Sequence, residues 1–154
     1  MEQLAQRHPD DREASIFYAL SLNMTALPTD KTYANQLKAA GILERIFAEQ
    51  PQHPGIAHYL IHSYDYPPIA EKGLDAARRY AQIAPASPHA RHMPSHVFTR
   101  VGAWEESVES NRSAAAVADQ ASKQHAQDYL VYGRADRKGQ GIPRPLRSAG
   151  SRRW

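Results

Sequence analysis

Apolar residues in the middle of the chain recur at helical rather than strand spacing. Ile56, Leu60, Ile61 and Tyr64 share one helix face. Pro54 opens that helix, where a missing N–H costs nothing, and Pro67-Pro68 ends it. A second amphipathic stretch runs from about Ile69 to Ala84, with Leu74, Ala77, Ala81 and Ile83 as packing residues, and Pro85 stops it. The layout then returns: a helix from about His89 to Val101, a turn at Gly102, and a partner helix from Ala103 to Ala118. Upstream, Asp10 or Asp11 caps a helix that reaches about Met24, "ALPTD" is a turn, and Lys31 to Gln50 is helical. A last helix is expected from about Ser122 to Tyr132. The pattern predicts an all-α chain with Leu43, Ile46, Leu60, Tyr64, Phe98 and Trp104 buried.

One offset governs much of this layout. Pro51 and Pro85 are 34 residues apart, as are Pro54 and Pro88, and Tyr64, Phe98 and Tyr132 are aromatics at the same step. Two histidine pairs obey it too: His58 and His62, then His92 and His96. Each is an i,i+4 pair, so both members lie on one helix face. His89 joins that face, with Asp65 and Thr99 one turn further on, and His125 and Asp128 on the next helix can come near. Pro94, between the second pair, either kinks the helix or marks a restart at Met93.

The 34-residue helix–turn–helix period resembles the tetratricopeptide repeat family over about residues 10 to 132. That family's second-helix pattern of small, bulky, small, then proline appears as Ala39, Leu43, Ile46, Pro51 and as Gly73, Ala77, Tyr80, Pro85. A third copy reads Ser107, Asn111, Ala114 and Asp119, and "VGAWEES" looks like the usual inter-helix turn. The first-helix signature survives only as aromatic Tyr64 and Phe98. The chain also looks like uncharacterised bacterial repeat proteins with "HMPSH"-type segments. The resemblance implies an α-solenoid of antiparallel helix pairs, about three units plus a stray C-terminal helix. It also puts the first helices, and so the histidines, on a concave groove.

That groove would be lined by His58, His62, His89, His92, His96, Asp65, Tyr66, Thr99 and Arg100. Three readings of the histidines stay open at this level. They are structural, packing between helices; or they bind a transition metal such as zinc through His58, His62, His92 and His96; or they contact a peptide or small polar ligand. The expected role is a non-enzymatic binding or scaffold module for a protein, peptide or small polar ligand, with metal binding as the alternative. A metalloprotease would need Glu after the first His of the pair, where Tyr59 and Met93 stand. His62 and His96 occupy the places of the asparagines that clamp a peptide carboxylate in co-chaperone members. There is no glycine-rich phosphate loop, no G-x-S-x-G elbow and no nucleophile triad.

Charge and composition narrow the partners. The net charge of +3 comes from Gly133 to Trp154, which holds seven Lys/Arg and one Asp, leaving a body with 12 basic and 15 acidic residues. Residues 1–132 are therefore expected to form the repeat domain and 133–154 a basic, disordered tail rather than a nucleic-acid surface. No apolar run approaches the ~20 residues of a membrane span, and with no cysteine there is no disulfide or thiolate site. The start has no apolar h-region, so no signal peptide is read in this chain and the cytoplasm is the default compartment. Because the repeat pattern stops in mid-unit, the chain is expected to be a fragment of a longer array or to end out of frame. The apolar face around Tyr129, Leu130 and Tyr132 is expected to favour self-association.

Overall fold

The computed structural model describes residues 1–136, with side chains through Gln124. The expectations for the end of the tail, and for the side chains of His125, Asp128, Tyr129, Leu130 and Tyr132, lie outside the described residues. Met1–Ala118 form one compact part of the chain and the segment from Asp119 a second. The described portion of the second is purely helical; the packing below is that of the first.

The chain is all-α, with no strand among the described residues. A short helix α1 (Glu2–Arg7) precedes α2 (Arg12–Met24) and α3 (Ala34–Glu49). Helix α4 (Pro54–Tyr64) leads through a single 3₁₀ turn, Ala70–Gly73, into α5 (Leu74–Ile83). Helices α6 (Pro88–His92) and α7 (Pro94–Val101) are followed by α8 (Trp104–Asp136). No helix among the described residues is long and apolar enough to cross a membrane.

Starts and stops follow local chemistry. The Asp11 side chain accepts from the Ala14 N–H and caps α2. Pro54 and Pro88 occupy the first turns of α4 and α6, and the His53 ring and Ser87 hydroxyl accept from Ile56 and Ala90 N–H three residues on. Pro94 opens α7 rather than kinking a longer helix. Met93 keeps helical dihedrals (φ −52°, ψ −36°), so the chain turns on smoothly while the Pro94 donor is lost. Gly102 ends α7 in the left-handed region at φ 77°, which a residue with a Cβ adopts at a cost.

Successive helices pack α2 on α3, α3 on α4, α4 on α5 and α5 on α7, and α4 also meets α2 and α7. Leu43, Ile56 and Ile61 are fully buried at the centre, and Ile46, Leu60, Tyr64 and Phe98 complete the core as the periodicity predicts. Ala39, Ala57, Ala77 and Ala90, all at 0% exposure, let helix axes approach closely. Gly73 goes further: a Cβ there would sit 2.9 Å from Tyr64 Cβ and 3.2 Å from Val97 Cγ2. Gly73→Ala is therefore expected to overpack this junction and cost about 1–3 kcal/mol. A urea midpoint equal to that of the wild type would contradict this.

Two sequence expectations need correction. Trp104 is 64% exposed, not part of the core. Ala103 packs against the core instead, and α8 begins one residue later with Trp104 on its exposed side. The expected break between a partner helix and a stray last helix is also absent, because α8 runs unbroken from Trp104 to Asp136. Asp119 stands where Pro51 and Pro85 end the earlier helices. It keeps its N–H, has no ring to clash, and lies in an alanine-rich run that favours helix.

Candidate functional site: a five-histidine cluster

Matched caps fix the register of the two histidine-bearing segments. Counted from Pro54 and Pro88, the fifth and ninth residues are His58 and His62 on α4, then His92 on α6 and His96 on α7. The Pro94 restart does not separate the second pair, whose Nε2 atoms lie 3.2 Å apart. His62 Nε2 lies 3.0 Å from His58 Nε2, and His89 Nε2 approaches His58 Nε2 to 3.1 Å from α6. His62 and His96 face each other edge to face with ring centroids 6.4 Å apart, and His89 and His92 lie at 6.5 Å. Five imidazoles thus close a ring across three helices.

Hydrogen bonds at the rim set the proton on two of them. A carboxylate only accepts, so His96 Nδ1–H donates to Asp65 Oδ2 at 2.9 Å. Asn111 donates its Nδ2–H to the Ser107 carbonyl, which leaves Oδ1 to accept from His92 Nδ1–H at 2.8 Å. In the neutral rings both Nε2 atoms then carry lone pairs, and these lone pairs face one another at 3.2 Å. Only a shared cation, a proton or a metal ion, makes that contact attractive.

The other three rings have the same difficulty in another form. A ring nitrogen carries one hydrogen or one lone pair. His58 Nε2 has two nitrogen neighbours at 3.0 and 3.1 Å and can complete a hydrogen bond with only one of them. Tyr80 stacks on the His58 ring, with centroids 5.7 Å apart and planes 10° from parallel, and holds it from behind. Among the described residues, no group of three or more His, Asp or Glu side chains is placed so that it could hold a metal ion; the imidazoles touch nitrogen to nitrogen instead.

Burial is the main cause that pushes the His58 pKa down to about 4, with like charge on His62, His89 and His96 adding to it. Desolvation followed by the His96 charge pushes His62 down as well, and Asp65 opposes this. The pH dependence follows in sign. Unfolded His58 titrates near 6.5, so between that value and about 4 the unfolded chain binds more protons. Its contribution to stability is complete above the unfolded value and is lost as pH falls toward 4. In chelator-treated protein, lowering pH from 7 to 4.5 is expected to cost about 1–2 kcal/mol through this group, after solvent screening. His58→Gln should flatten that part of the slope; urea midpoints with unchanged pH dependence in the variant would contradict the assignment.

The remaining expected groove residues divide. Asp65 is central, and Arg100 reaches the cluster only through it, with Nε 2.8 Å from Asp65 Oδ1. Thr99 pairs with the Ser107 hydroxyl at 2.9 Å instead of facing the histidines. Tyr66 packs against Tyr33, with centroids 5.1 Å apart. Asn111 and Tyr80, which no sequence motif places at the cluster, also contact the histidines. Asn111 carries a signal, because it is polar where the matching places hold apolar Leu43 and Ala77. A concavity of about 470 Å³, lined by Ala81, Arg91, Pro94 and Phe98 among others, includes none of the histidines. No known protein family, curated protein or solved structure matches this chain.

Proposed function

We propose that the chain is a tetratricopeptide-like helical module whose histidine face binds a divalent transition metal ion, zinc being the first candidate. One observation carries this reading. His92 and His96 point two Nε2 lone pairs at each other across 3.2 Å, and Asn111 and Asp65 fix both tautomers from behind. A carboxylate or amide behind a ligating imidazole is the arrangement that orients metal-bound histidines. A tetrahedral zinc with bonds of ~2.0–2.1 Å spaces its nitrogens about 3.3 Å apart, so only a few tenths of an ångström of opening is needed. An all-nitrogen set suits zinc, copper or nickel over magnesium or calcium.

The peptide-groove reading has less support. Arg100 is committed to Asp65 and Thr99 to Ser107, so two of its expected contacts are engaged within the protein. The repeat architecture is supported by the 34-residue step and by the succession of contacts from α2 through α4 to α7. The test is elemental analysis and zinc titration of protein purified without a polyhistidine tag. Binding of at least one equivalent in the micromolar range or tighter is expected. Protein that purifies metal-free and binds none of zinc, nickel and copper would overturn the reading.

A further inference from the structure

We infer that the concavity between α5, α7 and α8 is a second ligand site, which takes a small aromatic amine. It includes none of the histidines and is independent of the metal reading above.

This concavity has a counterpart one 34-residue step earlier. Each residue lining a smaller hollow of about 230 Å³ between α3, α4 and α5 lies 34 residues before one that lines the larger, of about 470 Å³. Tyr64 thus matches Phe98, and Asp75 matches Glu109. Two matches differ greatly in size: Phe47 corresponds to Ala81, and Arg79 to Ser113. In the smaller hollow the Arg79 guanidinium lies over the Phe47 ring, 4.5 Å from its centroid, and the Asp75 carboxylate holds it at 3.2 Å. A cation over a ring face is attractive, so the protein fills this hollow with its own side chains. Ala81 and Ser113 leave the corresponding volume open. At about 470 Å³ it falls within the ~300–1,000 Å³ of small-molecule pockets.

The lining sets the chemistry of the ligand. Ala77, Ala81, Pro94 and Phe98 give apolar walls that suit a flat ring. The carboxylate of the smaller hollow is kept as Glu109. Among the described residues Glu109 pairs with Arg112 at 3.2 Å, in an exposed pair that solvent screens. The two arginines of the lining are engaged within the protein. Arg78 Nε pairs with Glu106 at 3.3 Å, and Arg91 Nε donates to the Pro85 carbonyl at 3.0 Å. A ring that bears an ammonium group therefore supplies what Phe47 and Arg79 supply one step earlier: an aromatic face and a cation for the carboxylate.

The experiment is titration of the full chain with three indoles of similar shape: cationic tryptamine, neutral tryptophol and anionic indole-3-acetate. Backbone amide NMR at Ala81, Ser110 and Ser113 is the readout. Tryptamine is expected to bind with a Kd of about 1 mM or tighter. It should bind about threefold more tightly than tryptophol, with indole-3-acetate the weakest. Ala81→Phe/Ser113→Arg, which copies the side chains of the smaller hollow, should weaken tryptamine binding at least about tenfold. Ala81→Leu is a milder filling variant with the same expected direction, and circular dichroism checks that each variant is folded. Glu109→Gln should bring tryptamine level with tryptophol. Equal or tighter binding of indole-3-acetate, or a preference for tryptamine unchanged in Glu109→Gln, would overturn the choice of an amine. Tryptamine binding unchanged in the folded filling variants, or no tryptamine binding by the wild type, would overturn the site.

Discussion

Asp65→Ala is expected to lower zinc affinity by roughly 10–100-fold while changing stability by about 1 kcal/mol or less. Asp65 holds the His96 Nδ1 proton and pairs with the Arg100 guanidinium. Without the carboxylate, His96 is free to move its proton to Nε2 and to rotate, so the ligating lone pair is no longer fixed. The Arg100 charge would also lose its partner beside the cations. The folding cost stays small, because Arg100 is half exposed and solvent screens its pair with the partly buried Asp65. A merely structural Asp65 would show the opposite split, with lowered stability and unchanged affinity. Calorimetric titration and urea unfolding on the same preparations separate the two.

Leu43→Ala is expected to cost about 3–5 kcal/mol, a large part of the stability of a compact part of this size. Leu43 is completely buried on α3, the helix that packs on both α2 and α4. Deleting its side chain removes apolar burial and leaves a cavity that closely packed helices only partly close. Val108→Ala, on the exposed side of α8, should change stability by less than about 0.5 kcal/mol. Equal urea midpoints for Leu43→Ala and the wild type would show that the repeat register behind the core assignment is wrong.

The helices and the core were legible because proline and apolar spacing are strong local signals. Pro54, Pro88 and Pro94 each sit in the first turn of a helix. Leu43, Ile46, Leu60, Tyr64 and Phe98 are buried as the 3.6-residue period requires. Signals that depend on a neighbour were harder to read. An aromatic at helical spacing predicts Trp104 in the core, yet the residue after Gly102 that packs inward is Ala103. The α8 break was expected from the repeat length, but the residue at the breaking position had changed from proline to aspartate.

The candidate site follows the same division. The i,i+4 spacing put His58 with His62 and His92 with His96 on sequence grounds, and the contacts at 3.0 and 3.2 Å agree. The close approach of His89 to His58, and the roles of Asn111 and Tyr80, arise between helices. No local pattern encodes those distances. One of them is foreshadowed in the sequence, by a polar Asn111 where apolar Leu43 and Ala77 stand at the matching places.

Anomalous diffraction at the zinc edge, from crystals of untagged protein grown with zinc, tests the central claim most directly. Zinc density is expected within about 2.0–2.1 Å of the Nε2 atoms of His92 and His96, with Asp65 and Asn111 still bonded to the Nδ1 atoms of His96 and His92. Zinc density found only elsewhere on the surface, with these imidazoles still in direct nitrogen-to-nitrogen contact, would contradict it.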